Sequence, residues 1–170
     1  TQCALGLDKE FNVILINRTE YFFHNVGAPR AVVHPETCDS YLIPYDKMLK
    51  NGEVIQAQVE SITKEGLKVR GSDEIIQGYK YLIIATGTSY AFPFKCAPPS
   101  RKDVQPLYQA VADKIKEAKN IIVCGGGSTG LETAAEIAEA YPDTVKVFLV
   151  HSHAQVMMPG PWKASFIKKL

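Results

Sequence analysis

The sequence predicts an α/β chain whose main strands run parallel. Three observations predict it. Short apolar runs rich in β-branched residues alternate with helical patterns, a run of glycines joins one such strand to one such helix, and a further strand follows at the spacing of a β–α–β unit. Cys3–Leu7 reads as the closing turns of a helix. Asn12–Ile16 (NVILI) reads as a buried parallel strand, because an unbroken apolar run marks a strand covered on both faces. A polar turn leads to the aromatic segment Tyr21–Asn25. Val54–Ile62 alternates as a strand does, and Leu67–Arg70 with Glu74–Gln77 suggests a meander of short strands. Tyr81–Ala85 reads as a second buried strand, closed by Thr86 and Gly87.

Pro93, Pro98, Pro99 and Pro106 mark a loop-rich crossing. Beyond it Val104, Leu107, Val111, Ile115 and Ala118 recur at spacings of three and four, the pattern of an amphipathic helix, with Asp103 as its expected N-cap. Asn120–Cys124 is the next strand. A helix is expected from about Thr129 to Tyr141, a strand over Val145–Val150, and the start of another helix over Trp162–Leu170. No internal repeat interrupts this order.

Bulk composition excludes several classes of function. With 46% hydrophobic and 22% charged residues, the 170-residue chain has the make-up of a globular protein. Nineteen basic residues against eighteen acidic ones leave a net charge of +1, so no basic field points to nucleic acid. The longest apolar runs are far too short to span a bilayer. Cys3, Cys38, Cys96 and Cys124 form no CxxC or CxxxxC pair, so neither a metal site nor a dithiol redox centre is expected, and the thiols read as reduced and structural.

The segment Ile121-Ile-Val-Cys-Gly125-Gly-Gly127-Ser128-Thr129-Gly130 satisfies G-x-G-x-x-G. The first glycine permits a tight turn out of the strand, the second lets backbone N–H groups approach a pyrophosphate, and the third lets the helix pack on the sheet. The helix expected from about Thr129 offers unpaired donors and a positive dipole end at its N-terminus. The whole unit is about 30 residues long, as a βαβ unit should be. The strand end about 20 residues past the third glycine normally separates NAD from NADP, an acid there binding the ribose 2′-hydroxyl. His151-Ser152-His153 stands there instead, so NADPH should be tolerated beside NADH.

Three blocks then carry a family resemblance: Val13–Asn17 continuing through Tyr21–Val33, Tyr81–Gly87 continuing through Phe92–Lys95, and the glycine turn continuing through Glu132 to Pro142. Together they resemble the pyridine nucleotide-disulphide oxidoreductase superfamily, and more narrowly its apoptosis-inducing-factor-like branch, the ferroptosis suppressor type of NAD(P)H:quinone oxidoreductase. The resemblance implies a Rossmann-like flavoprotein with two dinucleotide-binding domains, represented here by a partial FAD-binding domain over 1–101 and a partial NAD(P)-binding domain over 102–170. It implies FAD and NAD(P)H as cofactors, hydride transfer from nicotinamide to flavin, and a quinone-like electron acceptor. On the FAD side it implies that Asn17 meets the ribose where the family usually has an acid. Arg30 would lie beside the FAD, Val59 would meet the adenine through its backbone, Ala85-Thr86-Gly87 would pack on the cofactors, and Lys95 would stand near the flavin. Glu132 would face nicotinamide and flavin. Outside the resemblance, Arg30 and Lys95 read as solvated surface cations, and Glu132 as an acid in the helix's first turn, stabilised by its dipole. His24 reads as a core histidine, and no residue is assigned as catalytic acid or base.

Two other activities share these features: a type II NADH dehydrogenase, and a nucleotide-sensing interaction protein of the apoptosis-inducing-factor type. The resemblance also implies a cytoplasmic protein, with peripheral association to lipid droplets, plasma membrane or the mitochondrial surface through segments outside this stretch. In the family fold, a first strand with its own glycine loop precedes the helix ending at Leu7, and further segments follow Leu170. Residues 1–170 expressed alone are therefore expected to be poorly soluble, with a bare sheet edge beside Asn12–Ile16, and to retain no FAD. A yellow, monomeric product with a flavin absorption spectrum would overturn that expectation.

Overall fold

The chain is described by a computed structural model over residues 1–95, 98–157 and 163–167. Helix α1 (Gln2–Leu7) leads to strand β1 (Ile14–Asn17) and strand β2 (Tyr21–Phe23). A 3₁₀ turn at Asn25–Gly27, helix α2 (Ala28–Ala31) and a 3₁₀ helix at Pro35–Tyr41 precede β3 (Leu42–Pro44). Then come β4 (Glu53–Gln56), β5 (Val59–Ile62), β6 (Leu67–Val69) and β7 (Ile75–Ile76). The last third comprises α3 (Val104–Glu117), β8 (Asn120–Cys124), α4 (Ser128–Ala140), β9 (Lys146–Val150) and the short α5 (Ala164–Ile167). Cys96, Trp162 and Leu170 lie outside the described residues.

Among the described residues four small sheets form: β1–β4 parallel, β2–β3 antiparallel, β5–β6–β7 antiparallel and β8–β9 parallel. The pairing of β1 with β4 starts from Asp8, which α1 delivers to a buried position. Its carboxylate accepts backbone N–H groups from Lys50 at 2.6 Å, Gly52 at 2.7 Å and Asn51 at 3.2 Å. Asn51 returns a side-chain bond to the Asp8 carbonyl at 2.6 Å. The loop so held places Gly52 against Val13, where a Cβ would collide with the Val13 carbonyl oxygen, and Glu53 N–H bonds that same oxygen at 2.9 Å. From there Ile14 to Asn17 pair in register with Glu53 to Gln56.

One core joins residues from both ends of the chain. Tyr21, Val32, Cys38 and Leu42 meet Val104 and Tyr108 of α3, Ile137 of α4 and Val145. Each aliphatic side chain buried there contributes about 1.5–3 kcal/mol of transfer free energy. Helix α3 lays its apolar stripe on the 3₁₀ helix at Pro35–Tyr41, and α4 packs against α2.

Several expectations are corrected. The strand expected at Asn12–Ile16 forms as Ile14–Asn17 but is only half-buried, because among the described residues β4 alone pairs with it. Val54–Ile62 is not one strand. It divides at Ala57, whose N–H bonds the Asn17 carbonyl at 2.9 Å, so β4 and β5 enter different sheets. Tyr81–Ala85 pairs with no described strand and lies exposed, so its apolar character does not by itself make it a strand. Asp103 stands at the N-cap of α3 yet makes no capping bond, since a 3₁₀ turn at Arg101–Asp103 already puts it in helical φ/ψ.

The N–H groups on Asp8, that of Lys50 foremost, hold its carboxyl below its ordinary value of 3.8 against the opposing effect of burial. Its stabilising contribution is therefore complete above about pH 3.8 and is lost as pH falls through the depressed value. Asp8→Ala is expected to lower the melting temperature of the full chain at neutral pH. The gap from wild type should narrow below that pH, as measured by thermal melts at stepped pH.

Candidate nucleotide-binding site

The glycine turn is built from the strand outward. Gly125 leaves β8 at φ +116°, a conformation that side chains rarely adopt, while its N–H still reaches the Val150 carbonyl of β9 at 2.8 Å. Gly127 caps α4, and a Cβ placed on it would meet nothing within 4 Å. Gly130 has the opposite surroundings: its Cβ would collide with the Gly125 carbonyl oxygen and come within 3.6 Å of Val123. The third glycine thus lets α4 lie directly on the turn, and the second leaves open space beside the backbone. Ser128 and Thr129 form the first turn of α4, whose leading amides have no partner within the helix. Thr133 closes that turn by donating its hydroxyl to the Thr129 carbonyl at 2.7 Å.

His151 folds back from the end of β9 onto this turn. Gly126 N–H donates to His151 Nδ1 at 3.1 Å, and the Gly126 carbonyl accepts Met157 N–H at 2.7 Å. Since Nδ1 accepts, the ring proton sits on Nε2 of the neutral imidazole. Nε2 is buried without a hydrogen-bond partner among the described residues. Gly126 must be glycine, because a Cβ would lie 2.8 Å from His151 Cγ and 3.0 Å from Val156. The middle glycine had no assigned role in the motif; its only signal in the sequence is that three glycines run together.

Glu132 is exposed, and because α4 begins at Ser128 it stands in the second turn rather than the first. The reading of it as a first-turn acid stabilised by the dipole is corrected accordingly, for that effect fades beyond the first turn.

The residues expected on the FAD side lie on different elements. Asn17 ends β1, its amide turned toward Thr19. Arg30 on α2 reaches across to α4, its Nη2 at 3.0 Å and its Nε at 3.1 Å from Glu136 Oε1, and this carboxylate raises the Arg30 pKa further. Val59 opens β5 opposite Val69, in a different sheet from Asn17. Ala85, Thr86 and Gly87 lie in an exposed segment outside any helix or strand, with Gly87 at φ +69°. Lys95 binds the Thr88 carbonyl and hydroxyl and lies 5.0 Å from the centre of the Tyr90 ring. The structure thus gathers Gly125, Gly127, Ser128, Thr129, Gly130 and His151 into one locus and brings Arg30 to the same helix. It places Asn17, Val59, residues 85–87 and Lys95 on separate segments. Sequence reasoning missed Thr19 and Glu136, neither of which has a motif; only contact in the folded chain reveals them.

Turn, helix and parallel strand pair define a dinucleotide-binding chain of the Rossmann type. The pyridine nucleotide-disulphide oxidoreductase family matches residues 1–169, and this chain belongs to it. Apoptosis-inducing factor homolog B of Dictyostelium discoideum is 39% identical over 166 residues, covering 93% of this chain and 42% of that protein. Ferroptosis suppressor protein 1 of Xenopus laevis is 34% identical over 151 residues, covering 85% of this chain and 39% of that protein. The chain therefore spans about two-fifths of the length of these relatives. Among solved structures, NDH2 from Plasmodium falciparum superposes with a TM-score of 0.71 at 15% identity, covering 95% of this chain and 40% of that one. The water-forming NADH oxidase from Lactobacillus brevis superposes with a TM-score of 0.62 at 19% identity, covering 99% and 40% respectively. At these identities the superpositions show the fold alone.

Two substitutions separate the packing role of the turn from its binding role. Gly130→Ala is expected to cost about 1–3 kcal/mol of stability through overpacking and to abolish nucleotide binding. Gly127→Ala should keep the fold to within about 1 kcal/mol, its φ of −78° being open to any residue, while weakening nucleotide binding. Thermal melts and nucleotide titration of the full chain check both.

Proposed function

We propose that the protein is an FAD-dependent oxidoreductase that takes hydride from NAD(P)H and passes electrons to a quinone-like acceptor. The observation that carries this reading is the glycine turn, with Gly130 pressed on Gly125 while Gly127 faces open space. A pyrophosphate needs that combination: a helix N-terminus drawn close to the strand end and a backbone with no Cβ in the way. The residues present fit a nicotinamide dinucleotide at this turn. The amides leading α4 would hold its phosphates, and the neutral His151 keeps Gly126 in place beside them. Asn17, at the C-terminal end of a parallel strand, offers an amide oxygen for a ribose hydroxyl of FAD. Bound FAD would supply the acceptance of hydride and its onward release as electrons, which no side chain of this protein can do.

A quinone-like acceptor is favoured over a disulphide because the sequence holds no CxxxxC dithiol to relay electrons to sulfur. Such an acceptor resides in lipid, which fits a cytoplasmic protein that associates peripherally with a membrane. NADH and NADPH should both serve, because the strand end presents His151 and no carboxylate to repel a 2′-phosphate.

Steady-state oxidation of NADH and NADPH by the full-length protein, with a ubiquinone analogue as acceptor, tests these points together. Turnover with a flavin spectrum is expected, with kcat/KM for the two nucleotides within about 100-fold. Flavin binding without turnover would favour a nucleotide-sensing role, and a larger preference for NADH would remove the inference about His151.

A further inference from the structure

The end of β1 carries a directed chain of hydrogen bonds. Thr19, a buried residue, donates its hydroxyl to the Tyr21 carbonyl at 2.7 Å. A carbonyl can only accept, so the Thr19 proton is committed to it. Asn17 Nδ2 lies 2.8 Å from Thr19 Oγ1 and 3.1 Å from the Thr19 carbonyl. Both of those oxygens must therefore accept, and the nitrogen side of the amide is the only side that can face them. The orientation of Asn17 follows without ambiguity: Oδ1 points away from Thr19, and among the described residues nothing donates to it. The backbone of Asn17 is engaged separately, its carbonyl accepting Ala57 N–H at 2.9 Å.

We propose that Thr19 is a positioning residue for cofactor binding, fixing the Asn17 amide so that Oδ1 is presented as a neutral acceptor to a ribose hydroxyl of FAD. This rests on the FAD-binding reading given above. It also accounts for an amide at this position. A carboxylate at 17 would set an acceptor oxygen against the Thr19 carbonyl and against a hydroxyl whose proton is already given to Tyr21. It would have to turn away or take that proton from Tyr21. The local structure therefore selects asparagine, and restoring the acid usual in the family should harm the site rather than improve it.

The test is equilibrium binding of FAD to the full-length apoprotein that contains residues 1–170, followed by quenching of flavin fluorescence, with the melting temperature of the apoprotein recorded separately. Thr19→Val is expected to loosen FAD by about tenfold, and Thr19→Ser to keep it within about twofold of wild type. Asn17→Asp should also loosen FAD. In an Asn17→Ala background, Thr19→Val should change the melting temperature but leave FAD affinity where Asn17→Ala alone puts it, which a purely structural role for Thr19 would not do. FAD affinity unchanged by Thr19→Val, or tighter binding by Asn17→Asp, would overturn the proposal. Should Thr19→Val fail to fold, Thr19→Ser and Asn17→Asp still decide it. Wild-type protein that binds no FAD would bring down the functional reading and the proposal together, whereas flavin bound equally well by Thr19→Val brings down the proposal alone.

Discussion

Tyr21 and Tyr108 are the two largest fully buried side chains of the described residues, and their hydroxyls set the conditions for the rest of the fold. A buried hydroxyl left without a partner costs about 1–3 kcal/mol, so each ring enters the core only if an acceptor comes with it. Both acceptors are carbonyls of the proline-marked crossing: Tyr21 donates to Pro98 at 2.8 Å and Tyr108 to Pro93. One tyrosine belongs to β2 and the other to α3, so the crossing is held from both sides. Glu20 reinforces the clasp. Its carboxylate accepts the Arg101 N–H at 2.6 Å and the Ser100 hydroxyl at 2.8 Å, bonds that lower its pKa, and its own N–H reaches the Pro99 carbonyl at 3.1 Å.

Everything C-terminal to the crossing takes its position from that clasp. Helix α3 is laid on the 3₁₀ helix at Pro35–Tyr41, and β8 follows it directly, so the start of the glycine turn is set by the same contacts that bury Tyr108. Helix α4 then returns to α2 through Ile137 in the core and through the Arg30–Glu136 pair at the rim. The rim pair is half-exposed and screened, so the apolar contact is the stronger of the two. Through Arg30, the segment that the resemblance places beside FAD touches the helix that begins at the glycine turn.

Legibility in the sequence followed the range of the interactions involved. Strand β8 matched its expected bounds, and α4 and β9 did so to within a residue, because the turn leading into α4 is shaped by residues only five positions apart, Gly130 against Gly125. The same pattern reading failed at Tyr81–Ala85. An apolar run records what its side chains require of their surroundings, while a strand exists only where a neighbouring backbone supplies hydrogen bonds. The Asp103 cap failed for a related reason, since its residue type favours a cap but the preceding 3₁₀ turn had already committed its backbone.

By itself the sequence determined the α/β class, the βαβ unit at its C-terminal side and the identity of the glycine turn, all of which rest on local periodicity and on backbone shapes that glycine alone adopts at low cost. Only the tertiary structure decided that β1 pairs with β4, that Asp8 holds that pairing, that Arg30 meets Glu136, and that the Asn17 amide nitrogen bonds Thr19. Each of these joins groups whose residue types permit many partners. Geometry in the folded chain, which no spacing encodes, chose among them.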